Sequence, residues 1–386
     1  MHRILFVIPG LRTGGTNSSL SALYSHIKGL YNITVYPLSG QRNAAYCFDE
    51  VLYKPSFISS AFHGKTKDEP WYRKLFFIAI KVIRALGLKF FYYDILQDYY
   101  KYMARSLEKK EDFDYIVAFE ESFPTKFVSF FKNPNKIAWI HCNYNMYCSA
   151  DNSEEDIYCK FKKIICVSKY TSQLFSERYP SLESKVGFIY NLINNKEIIN
   201  KSMLKIEDSR FVHDAKFTLI SAGRIDPVKR YTAIPGIARK LLDKGLSFKW
   251  YILGPIAEPV EYNLLCNNIR KYDVYQFVQC LGNKSNPYPY FAHSDLYVCT
   301  SESEACPMVF NEAMVLNKPV VTTNFGSSVE FVKNGVNGIV CSLDDMAKQI
   351  FELLTNPYKY KSIQNNLIGV KDFNKDIVES INKLFV

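Results

Sequence analysis

Short apolar runs recur along this chain, each closing on a glycine or a polar residue and each followed by a stretch of helical character. In the first half they fall at residues 4–8, 33–37, 115–119, 137–140 and 163–168, and in the second at 217–222, 249–253, 276–281, 295–300, 320–323 and 338–341. Residues 4–8 are apolar without alternation, as in a parallel strand covered on both faces. Strands and helices alternating at this spacing build βαβ units. The chain has 386 residues, 48% of them hydrophobic, which is enough for two domains, each with its own core. The fold class expected is therefore α/β, with two doubly wound, Rossmann-like domains facing each other across a cleft. The carboxyl ends of both sheets line such a cleft, where open α/β sheets bind ligands. A polar stretch of helical character over residues 194–208 reads as the connection. This gives a first domain at 1–200, a second at 201–364 and a helical tail at 365–386.

The formal net charge of +10 admits nucleic acid, an anionic membrane surface or phosphorylated ligands. No arginine-rich arm, zinc-finger spacing or RNA-binding signature is present, so nucleic acid is set aside. Ten cysteines are scattered without a C-x-x-C pair, as free thiols in a reducing compartment would be. The first apolar run is too short for a signal peptide, and no run of about eighteen apolar residues suggests a spanning helix. The expected location is cytoplasmic.

The most informative stretch runs from Ser301 to Met314, between the strand at 295–300 and a helix at 309–316. Pro307 suits a first helical turn. The free N–H groups behind it, at Met308 and Val309, form a site for an anion. Glu304 in the loop and Glu312 in the helix flank that site. Ionised carboxylates only accept hydrogen bonds, so next to a bound phosphate they suit hydroxyl groups. A phosphate between two hydroxylated ends describes a nucleotide sugar. An ordinary strand–loop–helix unit with an acid near its helix start is the alternative. Upstream, residues 217–222 are followed by Gly223-Arg224 and, five residues on, Lys229. Two cations at a strand's carboxyl end can neutralise a departing diphosphate without a metal ion; a solvated basic turn is the alternative, and Arg230 is a neighbour.

The string Glu304-Ala305-Cys306-Pro307…Glu312-Ala313-Met314, then Asn317-Lys318-Pro319-Val320-Val321-Thr322, Gly326, Glu330 and Asn337-Gly338, resembles the donor-binding segment of family-4-type retaining glycosyltransferases of the GT-B fold. Ala305 and Cys306 depart from the usual glycine and aromatic residue. The resemblance implies donor binding by Arg224, Lys229, Glu304, Pro307, Met308, Val309 and Glu312. Glu312 would hold ribose hydroxyls and Glu304 the donor hexose. It also gives a role to Gly14 and Gly15, whose spacing is not the G-x-G-x-x-G fingerprint; such enzymes carry paired glycines in this loop, facing the cleft. It places His141, at the end of the strand 137–140, beside the reacting end of the sugar, and lets the last helix cross back onto the first domain. Residues 136–191 look like the enzymes that build bacterial capsular and exopolysaccharides.

Three features are weaker. Residues 71–91 read as a basic amphipathic helix with Arg73, Lys74, Lys81, Arg84 and Lys89 on one side. It either lies on an anionic bilayer or packs on the core with a solvated face. Asp112-Phe113-Asp114 has the D-x-D form of a metal site but reads better as a surface turn. Glu120 and Glu121 close a strand and are weak candidates for acceptor binding.

The function expected is a retaining, metal-independent hexosyltransferase with no cofactor. It would move a hexose from a nucleotide sugar, with a UDP-sugar as the guess, to a hydroxyl of a growing, lipid-linked surface polysaccharide. The protein would then sit peripherally on the inner face of the membrane. Two alternatives stay open: a nucleotide-sugar epimerase or hydrolase, which consumes donor without acceptor, and a non-catalytic sugar-nucleotide-binding protein.

Overall fold

The computed structural model describes residues 1–11, 14–39, 46, 48–52, 78, 82, 86, 89–147, 154–368 and 374–386, with the backbone alone over 89–95. The expected amphipathic helix over 71–91 lies, but for isolated positions, outside the described residues. The chain divides into two units, one of Met1–Leu192 with Lys375–Val386, the other of Ile193–Asn374.

The first unit holds seven parallel strands: β1 (Arg3–Ile8), β2 (Asn32–Pro37), β3 (Glu50–Val51), β4 (Tyr115–Ala118), β5 (Lys136–Ile140), β6 (Lys163–Cys166) and β7 (Val186–Phe188). Their order is β3-β2-β1-β4-β5-β6-β7. The order reverses beside β1, so β1 and β4 flank a switch point, where such sheets open a crevice at their carboxyl ends. The strands are apolar throughout because both faces are covered. Leu5, Val7, Ile116, Ala118, Ala138 and Ile140 join one buried cluster. On the other face the ring of Phe119 packs against those of Phe6 and Trp139.

That second face is closed by the end of the chain. The helix Asn374–Leu384 runs into Phe385, 1% exposed, whose ring lies 6.5 Å from Phe6, 5.4 Å from Tyr31 and 5.3 Å from Tyr115. Tyr31 also donates a hydrogen bond to Asn382 at 3.1 Å. Phe385→Ala is expected to destabilise the first unit by roughly 3–5 kcal/mol, the usual cost of emptying an aromatic core position. A shift in denaturant midpoint worth less than about 1 kcal/mol would show that the ring carries little of this core.

The Asp112-Phe113-Asp114 segment is a structural turn. The Arg3 backbone N–H donates to the Asp114 carboxylate at 2.7 Å, the Arg3 guanidinium to the Asp112 carbonyl at 2.9 Å, and Phe113 is buried beneath that guanidinium. The two acids tie the start of β1 to the start of β4.

The second unit holds six parallel strands: β8 (Phe217–Ala222), β9 (Phe248–Leu253), β10 (Val278–Gly282), β11 (Leu296–Cys299), β12 (Val320–Thr323) and β13 (Gly338–Cys341), in the order β10-β9-β8-β11-β12-β13. Here β8 and β11 flank the switch point. Leu219, Trp250, Ile252, Leu296 and Val298 face one set of helices, and Ile220, Tyr251, Leu253, Tyr297 and Cys299 the other. The division between units falls at Leu192/Ile193 and Asn374/Lys375, against the 200/201 and 364/365 read from composition. The helix Asn195–Ser202, taken there as a connection, packs Ile198 against Val315, Met308 and Tyr288. The side-chain amide of Asn374 accepts from the Ile193 N–H at 3.2 Å and donates to the Ile193 carbonyl at 2.7 Å, so the chain enters and leaves this unit at one point.

Candidate functional site

The site is built where β8 and β11 end side by side. Two glycines bring the ends of β8 and β9 together: Gly223 at φ +153° and Gly254 at φ +144°. A Cβ on Gly254 would fall 1.8 Å from the Gly223 carbonyl oxygen, and one on Gly223 would fall 2.9 Å from Cε of Lys229. Only glycine fits, and the space it leaves is where Lys229 lies across the strand end. Gly254→Ala is expected to fold poorly or to lose several kcal/mol, because backbone rather than a flexible side chain must give way. Unchanged thermal unfolding would contradict this close approach.

After Gly223 the chain makes a short 3-10 turn, Pro227–Lys229. Asp226 caps it, its carboxylate accepting from the Lys229 backbone N–H at 3.1 Å, and its other oxygen lies 3.5 Å from Nε of Arg224. Arg224 is 63% exposed, whereas the Lys229 side chain is only 16% exposed. Lys229 Nζ donates to Glu304 Oε1 at 2.5 Å, and the Ser301 hydroxyl donates to the same oxygen at 2.7 Å. Burial alone would favour neutral Lys229; the Glu304 carboxylate outweighs it and holds the ammonium above the ordinary lysine range.

The loop that carries Glu304 is laced to the Lys229 turn by buried hydroxyls. Thr300 donates to the Lys229 carbonyl and Ser327 to the Glu304 carbonyl, both at 2.7 Å, and Thr323 donates to the Ser301 carbonyl. Arg230, in the left-handed region at φ +49°, pairs with Glu302 at 3.0 Å. Pro307 then caps the helix Met308–Val315, one position earlier than the sequence suggested. The first N–H groups of such a helix, here those of Met308 and Val309, have no carbonyl of their own helix to bond. Glu312 follows one turn later, where it accepts a hydrogen bond from the Tyr288 hydroxyl at 3.3 Å. Burial pushes its carboxyl up to about 7, against the smaller opposing effect of that hydrogen bond.

One edge of the second unit thus presents two cations, a helix N-terminus and two carboxylates. Comparison with known proteins gives this arrangement its likeness: residues 205–368 match the model described as glycosyl transferases group 1. The second unit is similar to a group 1 glycosyl transferase domain, the match covering less than half of the chain. Among curated relatives, the chain is 27% identical to spore coat protein SA of Bacillus subtilis over 233 residues, 56% of this chain and 61% of that one. It is 22% identical to N-acetyl-alpha-D-glucosaminyl L-malate synthase of Bacillus anthracis over 178 residues, 45% of this chain and 46% of that one. The matches therefore span less than two thirds of these relatives. Structural likeness reaches further. The structure of Anabaena Alr3699/HepE in complex with UDP and glucose matches with a TM-score of 0.73 at 17% identity, covering 99% of this chain and 100% of that one. A point mutant of Staphylococcus aureus TarM, in complex with fondaparinux, alpha-GlcNAc-glycerol and UDP, matches with a TM-score of 0.66 at 14% identity, each chain covered fully. At such identities the likeness shows the fold alone: two parallel α/β units, as in the GT-B fold.

In the second unit the structure brings Arg224, Lys229 and Glu304 together, and sets Glu312 one turn into the helix that begins at Met308. The other candidates lie in the first unit. His141 ends β5 next to Glu121, whose carboxylate accepts the His141 backbone N–H at 2.9 Å. Burial pushes the imidazole down to about 3, so it is neutral at physiological pH. Its ring packs 4.5 Å from Phe119, and its Nε2 is shielded from solvent without a hydrogen-bond partner. Glu120 lies beside Glu121, its carbonyl accepting from Thr125 at 3.0 Å. Gly14 and Gly15 begin the helix Gly15–Ile27 after β1. Gly14 is extended at φ 169°, and a Cβ at either position would meet nothing, so neither glycine is required by its own surroundings.

The roles of four residues of the second unit escaped sequence reasoning. Asp226 had a readable signal, an acid before proline and three residues before Lys229, the spacing of an N-cap. Ser301, Gly254 and Tyr288 had none, since their roles depend on which strands and helices become neighbours.

Proposed function

We propose that this protein is a retaining glycosyltransferase that moves a hexose from a nucleotide sugar to a hydroxyl of a glycan. The observation that carries the reading is the convergence of Lys229 and Glu304 at the β8–β11 switch point, with Arg224 beside them and Glu312 in the next helix, inside a unit similar to a group 1 domain. Lys229, Arg224 and the Met308 and Val309 N–H groups hold the donor diphosphate, Glu304 the hexose and Glu312 the ribose. The choice of a UDP-sugar is supported by two structures of similar fold, described as complexes with UDP and glucose and with UDP.

The acceptor hydroxyl attacks the anomeric carbon from the face the diphosphate leaves. The new carbon–oxygen bond forms as the bond to phosphate breaks, and the proton passes to the departing phosphate oxygen. Negative charge then grows on the diphosphate, where Lys229, Arg224 and the helix N-terminus are already aimed, so no metal or cofactor is assigned to this step. His141, neutral at the end of β5, hydrogen-bonds the donor sugar; Gly14 and Gly15 give the donor room; Glu120 and Glu121 serve the acceptor. We place the protein in the cytoplasm, on the inner face of the membrane, acting on a lipid-linked surface polysaccharide. The motive is the basic stretch 71–91 and the likeness of residues 136–191 to capsule-building enzymes. No helix among the described residues is long and apolar enough to cross a membrane.

A thermal-shift panel of UDP-, GDP- and ADP-sugars, followed by turnover with and without glycan acceptors in EDTA, tests the reading. Acceptor-dependent release of nucleoside diphosphate with retained anomeric configuration is expected. Donor consumption without acceptor, or loss of activity in EDTA, would overturn it.

A further inference from the structure

This inference deepens the donor-site reading and rests on it. The two groups assigned to the donor's phosphate and hexose are already bonded to each other. Lys229 Nζ lies 2.5 Å from Glu304 Oε1, and the side chains are only 16% and 17% exposed. Taking one member from such a pair leaves the other charge uncompensated in a poorly solvated place. A nucleotide sugar compensates both, offering phosphate oxygens to the ammonium and a sugar hydroxyl to the carboxylate. A nucleoside diphosphate compensates only the ammonium, leaving Glu304 with the Ser301 hydroxyl at 2.7 Å. Arg224 makes no such discrimination, being exposed and 3.5 Å from Asp226.

We infer that Glu304 distinguishes donor from spent nucleotide by competing for Lys229. It yields the ammonium to phosphate more readily when a sugar hydroxyl takes the ammonium's place than when only the Ser301 hydroxyl is left to it. Once the hexose has left, the pair re-forms and displaces the nucleoside diphosphate, which speeds product release. Ser301 sets the strength of this competition, because it is the residual partner of Glu304 when Lys229 turns to phosphate.

Calorimetry of UDP, GDP and ADP and of their sugar conjugates on wild type, Glu304→Gln and Ser301→Ala tests this. Glu304→Gln removes the competing charge, so the preferred nucleoside diphosphate is expected to bind roughly tenfold tighter while the nucleotide sugar binds more weakly. Ser301→Ala should act in the opposite sense on the spent nucleotide, weakening the diphosphate several-fold more than the donor. If Glu304→Gln keeps its fold by circular dichroism and binds the diphosphate no more tightly than wild type, the inference fails. Should that variant not fold, unchanged or tighter diphosphate binding by Ser301→Ala overturns it instead. A wild type that binds no nucleotide and no nucleotide sugar would refute the donor-site reading itself, a result distinct from either.

Discussion

Replacing Lys229 with methionine is expected to lower kcat/KM by about 10²–10³, the usual effect of removing one preorganised group from a charge that grows in the transition state. Lys229 should matter more than its neighbour Arg224, and the reason is position. Its side chain lies shielded over Gly223, at the end of a turn that Asp226 caps, whereas Arg224 is largely in water. A charge held in a shielded place acts through a lower effective dielectric than one in solvent. Arg224→Gln should therefore cost only about fivefold or less, within the range expected for a screened pair. Lys229→Met also leaves Glu304 with Ser301 alone, so some loss of stability accompanies the loss of rate. Rates should be compared at a temperature where circular dichroism shows both proteins folded. A folded Lys229→Met protein within about threefold of wild type would contradict the assignment.

Glu312→Gln should make the protein more stable and a worse ligand for its donor. Burial raises the Glu312 carboxyl to about 7. The folded chain therefore holds this proton more tightly than the unfolded one, and stability from this group is full below the ordinary glutamate range. It is lost as pH rises from there through about 7, so above neutrality the fold carries a buried charge. Glutamine removes that charge. At pH 8 the gain should be on the order of 2 kcal/mol, a few degrees in Tm, and it should vanish near pH 4. Donor binding runs the other way, because ribose hydroxyls donate to a carboxylate and not to a protonated acid in the same geometry. Wild-type donor affinity should be about tenfold weaker at pH 6 than at pH 8, following the ionised fraction of a group titrating near 7. Glu312→Gln should lose both the affinity and its pH dependence. A variant as affine as wild type, or a wild-type affinity flat across this range, would remove Glu312 from the donor site.

Much of the fold was legible because parallel strands covered on both faces are apolar without alternation, and here such short runs alternate with stretches of helical character. Which candidate residues would be neighbours was legible where they are close in the chain. Glu304, Pro307 and Glu312 lie on one loop and helix, and Arg224 and Lys229 on one turn. What the sequence did not show was pairing across the sheet. β8 and β11 are neighbours although Leu219 and Leu296 stand far apart in the chain, so the Lys229–Glu304 bond had no local trace. The same holds for Tyr288, which reaches Glu312 from another helix, and for Gly254, whose need to be glycine comes from Gly223 on the adjacent strand. The helix Asn195–Ser202 reads as a connection because its polar residues dominate, while its packed face holds only Ile198, Ile199 and Ser202.

A crystal structure with UDP-glucose bound tests the donor site most directly. Its diphosphate should lie within hydrogen-bonding distance of Lys229 Nζ and of the Met308 and Val309 N–H groups, its ribose on Glu312 and its hexose on Glu304, with the Lys229–Glu304 pair opened. The nucleotide sugar bound away from the carboxyl ends of β8 and β11 would contradict it; bound there with the pair intact, it would leave the donor site standing and overturn the competition between Glu304 and phosphate.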